Sequence, residues 1–216
     1  MKKMLFAAVM MSLLFVMSGC GGGNDAVIFV APPPPSIVTQ IFSNPAFDGD
    51  ILNGVTLSPL NSPSVLAGID PFIPFDEYRA FLVFPLTGAG GVPGSAYIEA
   101  ATLDIFIDSI TLHPLASSIP IRIELVSYPP ETLQPSDYYR ANLPPLAYTT
   151  IIPPITSADV LRHVRIDVTS LMVEAQFRGL ANFQIRILQN DGFVYPGLIE
   201  INNTDAEAPM LEVVYH

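Results

Sequence analysis

Residues 119–126 read IPIRIELV, in which apolar side chains alternate with other residues. Successive residues of a β-strand point to opposite faces of a sheet, so this alternation predicts a strand with one buried face. Residues 164–168 and 183–187 alternate in the same way. Residues 78–86 are apolar on both faces except at Arg79, which predicts a central strand covered on both sides.

Weaker strand signals bring the predicted number of strands to about ten. They lie at residues 41–52, 65–69, 103–108, 147–152, 193–201 and 211–215. The 22 prolines and 14 glycines are scattered between the apolar runs and exclude long helices. Residues 169–178 break the β pattern with apolar residues at helical spacing, after a cap candidate at Asp167 or Thr169. We therefore predict an all-β, antiparallel β-sandwich with one short helix near residues 169–178.

The N-terminus has the organisation of a bacterial export signal. Two lysines precede an uncharged apolar stretch, residues 4–17, which is too short to span a bilayer as a helix. The small residues before Cys20 resemble the lipobox of bacterial lipoproteins, in which the cysteine is diacylated and becomes the mature N-terminus. A buried thiol and an intermolecular disulfide are the alternatives for this single cysteine. We predict a lipoprotein signal peptide over residues 1–19 and a lipid anchor on Cys20.

Residues 20–36 are rich in glycine and proline and are predicted to tether Cys20 to a single β-sandwich domain, residues 37–216. Gly21 follows the cysteine where, by resemblance to enterobacterial lipoproteins, an aspartate would imply inner-membrane retention. The expected location is therefore the outer membrane, facing the periplasm or the cell surface. Without residues 1–19 the chain has seven arginines, no lysine and 20 acidic residues, a net charge of −13. That charge excludes nucleic acid as a partner and disfavours anionic polysaccharides.

Five segments follow one another in the order and at about the spacing of a known domain type. They are YRAFLVFPL at residues 78–86, IEAATL at 98–103, VRIDVTSL at 164–171, NFQI at 182–185 and APMLEVVY at 208–215. Over residues 40–216 the chain resembles the DNRLRE-type domains of bacteria. The resemblance implies a β-sandwich of jelly-roll type that is similar to carbohydrate-binding modules.

The region between Tyr128 and Tyr148 supplies the candidate ligand-binding residues. They are Tyr128, Tyr138, Tyr139, Arg140 and Tyr148. The apolar face of a sugar ring stacks on an aromatic plane, and the prolines around these tyrosines would pre-organise such a surface. In the alternative interpretation, the tyrosines seal the edge of the sandwich with their hydroxyls in water.

Asp48, Asp50 and Asn53 supply oxygen ligands around a glycine turn, which predicts a weak Ca²⁺ site. The alternative is a capped turn. No other cofactor is expected. A second acidic cluster, formed by Asp70, Asp76 and Glu77, is interpreted as a solvated rim.

Several enzyme motifs do not occur in the sequence. The three histidines belong to no metal motif, and there is neither a nucleophile elbow nor a phosphate-binding loop. We predict a non-catalytic, lipid-anchored protein of the cell envelope that binds a neutral polysaccharide. The alternative is a structural or protein-interaction module of an envelope assembly, which exposure of the apolar residues 57–73 would favour.

Overall fold

Antiparallel pairing joins the strands of the described part of the chain into one sheet, and the all-β prediction is confirmed. The computed structural model describes residues 34–73, 76–192 and 194–216. The predicted signal peptide, Cys20 and most of the predicted tether lie outside these residues. The strands are β1 (Ile37–Phe42), β2 (Gly49–Leu52), β3 (Thr56–Leu57), β4 (Ser64–Ile69), β5 (Glu77–Pro85), β6 (Ile98–Leu112), β7 (Ile121–Val126), β8 (Ala147–Thr150), β9 (Arg162–Asp167), β10 (Asn182–Gln189), β11 (Gly197–Asn202) and β12 (Met210–Tyr215). One α-helix, α1 (Thr169–Phe177), and three 3₁₀ helices, Pro130–Thr132, Pro135–Tyr138 and Ser157–Asp159, complete the described elements.

The strand order is β1-β12-β6-β11-β4-β5-β10-β7-β8, with β9 paired to β6, β2 to β5 and β3 to β2. Strand β6 has 15 residues and organises this sheet. Its N-terminal half pairs with β12, its C-terminal half with β11, and its middle with β9 on the opposite side. Side chains from both ends of the strand order meet in one hydrophobic core, as expected for a sandwich-like fold.

The prediction of one buried face for residues 119–126 is only partly confirmed, because Glu124 and Val126 on the other face are fully buried too. Ile119, Ile121, Ile123 and Leu125 are all fully buried in this core. β7 begins at Ile121, and Ile119 forms an isolated bridge to the chain that follows β8. On β5, Phe81 and Val83 are buried on the face opposite the core, so the prediction of a doubly covered strand is confirmed.

The predicted helix is α1, with Leu171, Met172 and Ala175 fully buried against the core. The Asp167 carboxylate accepts hydrogen bonds from the Thr169 N–H at 2.9 Å and from its hydroxyl at 2.6 Å. These hydrogen bonds lower the pKa of Asp167. No helix in the described residues is long and apolar enough to cross a bilayer.

The described residues form twelve strands rather than about ten. The predicted strand over residues 41–52 is divided into β1 and β2, because the Asn44 side chain and main chain accept hydrogen bonds that turn the chain. The short strand β3 is the other addition. It follows a turn in which Asn53 and Gly54 both have positive φ, 52° and 68°, the conformation that closes tight hairpins.

Candidate functional site

Residues 127–146, hereafter the cover segment, lie over the outward face of β5 and β7. Their apolar side chains form a second hydrophobic cluster with side chains of the sheet, consisting of Leu133, Tyr138 and Leu143 with Ile51, Phe81 and Val126. Two of the 3₁₀ helices lie within the segment and fold it back onto the strands. The region predicted to bind a ligand is therefore packed against the sheet along part of its length.

A fully buried ion pair lies beneath the cover segment. Arg186 on β10 and Glu124 on β7 both have no exposed surface, and Arg186 donates from Nη2 and Nε to Glu124 Oε2 at 2.6 and 2.9 Å. Arg186 Nη1 also donates to the carbonyl oxygen of Asp137 in the cover segment, at 2.8 Å. Burial lowers the pKa of Arg186, and the Glu124 carboxylate opposes that effect.

Arg140 connects the cover segment to the same carboxylate. Its Nε donates to Glu124 Oε1 at 2.8 Å and its Nη1 to Asp191 Oδ2 at 2.7 Å. The Nε atom of Arg122 lies 2.9 Å from Glu124 Oε1. The guanidinium carbon of Arg122 lies 3.7 Å from the centroid of the Tyr148 ring. Arg140, a predicted ligand contact, is therefore engaged in internal ion pairs that hold the segment in place.

Of the predicted ligand-binding tyrosines, Tyr138 is buried and Tyr128 is partly buried. Tyr128 packs edge-on against Phe81, with 6.1 Å between ring centroids, and burial raises the pKa of its hydroxyl. Tyr138 is 9% exposed, donates to Glu77 Oε2 at 2.7 Å and lies beneath the Arg79 guanidinium. The Tyr138 ring is used to pack the cover segment onto the sheet, whereas the partly exposed Tyr128 also lines an open cleft with Pro129 and Pro130.

The other two tyrosines are exposed. Tyr139 has 47% of its surface exposed and Tyr148 has 59%. Tyr139 lies against the β2–β3 turn, where a Cβ added to Gly54 would come within 2.7 Å of the tyrosine ring. Tyr139 therefore reaches the hairpin from the cover segment, and Tyr139 and Tyr148 are the most exposed of the predicted tyrosines.

The residues of the predicted Ca²⁺ site accept main-chain hydrogen bonds at three different places. Asp48 Oδ1 accepts from an N–H of β5 at 2.8 Å, Asp50 Oδ2 from an N–H of β4 at 3.1 Å, and Asn53 Oδ1 from the first residue of β5 at 2.9 Å. Within the described ranges, no group of three His, Cys, Asp or Glu side chains is placed to hold a metal ion. These hydrogen bonds fit the capped-turn alternative, and the Ca²⁺ site itself stays a prediction.

A solvent-open cleft, hereafter the serine cleft, lies between the β2–β3 hairpin and β4. Its volume is about 290 Å³, at the lower end of the range for small-ligand sites. It is lined by Asp50, Leu52, Thr56, Ser58, Ser62, Ser64, Leu66 and Tyr78. Asp50 and Leu52 on β2, and Ser64 and Leu66 on β4, are alternate residues that face the cleft from one side of their strand.

The polar groups of the serine cleft are held in fixed orientations. The Asp50 N–H donates to Ser58 Oγ at 2.8 Å, and the Ser64 hydroxyl donates to Glu200 Oε1 at 2.7 Å. Burial raises the pKa of Asp50. Burial, followed by the negative charges of nearby aspartates, raises the pKa of Tyr78, so its hydroxyl is a neutral hydrogen-bond donor and acceptor. The cleft thus combines hydroxyls, one carboxyl and one aromatic ring in an acidic setting that disfavours anions.

The apolar residues 57–73 are divided between core and surface. Val65 and Ala67 on β4 are fully buried, whereas Phe72 and Ile73, in the loop that follows, are 69% and 53% exposed. This loop is the part of the segment that bears on the protein-interaction alternative.

No protein-family model matches the chain, and no curated protein matches it. The serine cleft was not predicted from the sequence, because its residues come from four strands and the loops between them. The buried pair of Glu124 and Arg186 was also missed, because the two residues are 62 positions apart and nothing local relates them.

Proposed function

We propose that the chain is a lipid-anchored, non-catalytic protein of the cell envelope whose domain binds a neutral carbohydrate in the serine cleft. The observation that carries the proposal is the lining of that cleft, in which Tyr78 lies beside Asp50 and four hydroxyl side chains. An aromatic ring can stack on the apolar face of a sugar, while hydroxyls and a carboxyl exchange hydrogen bonds with its hydroxyls. The resemblance of residues 40–216 to DNRLRE-type domains supports the same class of ligand.

The charges around the cleft support a neutral sugar over an acidic one. Asp50, Asp70 and Asp76 all act on the Tyr78 hydroxyl and raise its pKa, so the cleft lies in a negative potential. An anionic glycan would be repelled by that potential and by the net charge of −13 that the chain has without residues 1–19.

The test is a glycan array probed with the detergent-solubilised full-length protein. Tyr78→Ala is expected to weaken binding of a neutral glycan at least about tenfold, and Thr56→Val, which removes one exposed hydroxyl, by a smaller factor. Tyr97→Ala serves as the control, since Tyr97 is 66% exposed and does not line the cleft. Tyr148→Ala distinguishes the two locations, because loss in this variant with full binding by Tyr78→Ala would place the ligand at Tyr148 on β8 and contradict the cleft.

A second function, protein interaction within an envelope assembly, is favoured by the exposure of Phe72 and Ile73 in one loop. A folded protein that binds neither neutral nor acidic glycans on the array would contradict the carbohydrate proposal and favour this alternative.

A further inference from the structure

The carboxyl group of the serine cleft has no cationic partner in the described residues. Asp50 lines the cleft and is 6% exposed, and it is the only acidic or basic residue among the lining side chains. All seven arginines and all three histidines of the chain lie within the described ranges, and none of them forms an ion pair with Asp50. Arg79, the neighbour of Tyr78 in sequence, pairs instead with Glu77. The cleft therefore contains an acidic group that no cation of the described residues balances.

Two more carboxylates add to the negative potential at the cleft. Besides burial, the charges of Asp76, Asp50 and Asp70 raise the pKa of the Tyr78 hydroxyl, and Tyr78 lines the cleft. Neither Asp70 nor Asp76 belongs to an ion pair within the part of the chain that the structure describes. A positively charged group on a ligand would be attracted by this potential, whereas an uncharged ligand gains nothing from it.

The hydrogen bonds of the cleft also favour a ligand that donates. The Ser64 hydroxyl donates its proton to Glu200 Oε1 at 2.7 Å, so its oxygen can only accept a hydrogen bond from a ligand. An ionised Asp50 carboxylate is likewise an acceptor only. An ammonium group has three donors and no acceptor, whereas a hydroxyl has a single donor. Ser64 and Asp50 therefore match an ammonium group better than they match a hydroxyl.

We infer that the serine cleft prefers a sugar unit with a free, protonated amino group to the same unit in its N-acetylated form. The ammonium group lies at Asp50 and Ser64, while the apolar face of the sugar ring stacks on Tyr78. The inference rests on the proposed function, because the sugar binds in the same cleft, and it adds the charge of the ligand. Burial raises the pKa of Asp50, and an adjacent ammonium group would oppose that effect.

The size and the lining of the cleft favour an amino sugar over other cations. The cleft has the volume of a small-ligand site rather than of a protein-binding surface. A metal ion is a poorer fit, because no group of three His, Cys, Asp or Glu side chains in the described ranges is placed to hold one. The Tyr78 ring supplies the stacking surface that a sugar ring uses and a metal ion does not.

Isothermal titration calorimetry at pH 7, with the full-length protein in non-ionic detergent, tests this preference. The probes are the chitosan tetramer, which has free amino groups, and its fully N-acetylated equivalent. The wild-type protein is expected to bind the amino tetramer at least about tenfold more tightly. Asp50→Asn keeps an oxygen that can accept the Leu66 N–H but removes the charge, so the preference should be lost. Tyr78→Ala should weaken the binding of both tetramers.

Asp205→Asn is the matched control, since it removes one charge from an exposed residue outside the cleft and should keep the preference. Equal binding of both tetramers by the wild type, or tighter binding of the N-acetylated one, would overturn the inference and leave the proposed function intact. A preference that persists in Asp50→Asn, or amino-tetramer binding that Tyr78→Ala leaves unchanged, would show a general attraction between a polycation and an acidic protein and would also overturn it. Binding of neither tetramer overturns it as well, and the glycan array then shows whether the proposed function fails with it.

Discussion

Asp48 has a carboxyl group with no exposed surface, although it lies in the loop between β1 and β2. Its Oδ1 accepts the Val83 N–H, whereas burial raises its pKa from 3.8 to about 7. Hydrogen bonds favour the charged form and desolvation disfavours it, and here desolvation is the larger effect. The residue therefore holds a proton near neutral pH that the unfolded chain releases in acid.

This difference predicts how stability depends on pH. Between about pH 4 and pH 7 the folded state binds more protons at Asp48 than the unfolded state does, so its contribution to the free energy of unfolding falls as pH rises. The contribution levels off above the folded pKa of about 7, and its total is on the order of 4 kcal/mol. Asp48→Asn removes the titration, and we expect the variant to gain stability over the wild type at pH 8 relative to pH 5.

Urea denaturation of both proteins at pH 5 and pH 8 measures the effect. Asp205→Asn, at an exposed acidic residue, is the control and should follow the wild type. Equal pH dependence in wild type and Asp48→Asn would show that burial of Asp48 is not linked to protonation.

At the scale of elements, the cover segment explains where sequence reasoning succeeded and where it stopped. The alternation in β7 and the helical spacing in α1 are local patterns, and both elements were predicted from them. Burial of Tyr128 and Tyr138 depends on packing against Phe81 and Arg79, which lie 47 and 59 positions earlier in the chain. A tyrosine flanked by prolines has the same local sequence whether it is exposed or packed, so the aromatic platform could not be distinguished from a cover.

The ion pair beneath the cover segment predicts a strong asymmetry between single and double variants. Glu124→Leu leaves Arg186 buried without its carboxylate and should cost about 3–5 kcal/mol in the free energy of unfolding. Glu124→Leu combined with Arg186→Met removes both buried charges and should cost less than the single change. Equilibrium urea denaturation of the two single variants and the double variant measures this coupling. Additive costs would contradict the interpretation of Arg186 and Glu124 as one unit.

At the scale of the whole molecule, most strands were predicted within a few residues, but their neighbours in the sheet were not. The segment 41–52 was expected to be one strand. The turn at Asn44 divides it into β1, which pairs with β12, and β2, which pairs with β5. The serine cleft likewise combines residues of β2, β3, β4 and β5, which only the strand order brings together. Periodicity reports which face of a strand is buried, whereas pairing between distant strands leaves no local trace.

The predicted lipid anchor is tested on the whole chain. Cells expressing the wild-type protein should incorporate labelled palmitate into it, and the protein should partition into the detergent phase of Triton X-114. Cys20→Ser should abolish labelling and move the protein to the aqueous phase, since each buried acyl methylene contributes roughly 0.8 kcal/mol to membrane binding. Labelling that persists in Cys20→Ser would contradict the lipobox interpretation.

The pairing of β1 with β12 also affects the order in which the strands can form their hydrogen bonds during synthesis. Ile37 faces Tyr215, so the first described strand completes its hydrogen bonds only with the last. A chain made from its N-terminus at about 5–20 residues per second must hold β1 unpaired until β12 has been synthesised. Among the described strands, this apolar, uncharged strand is therefore the first to be made and the last to find its place.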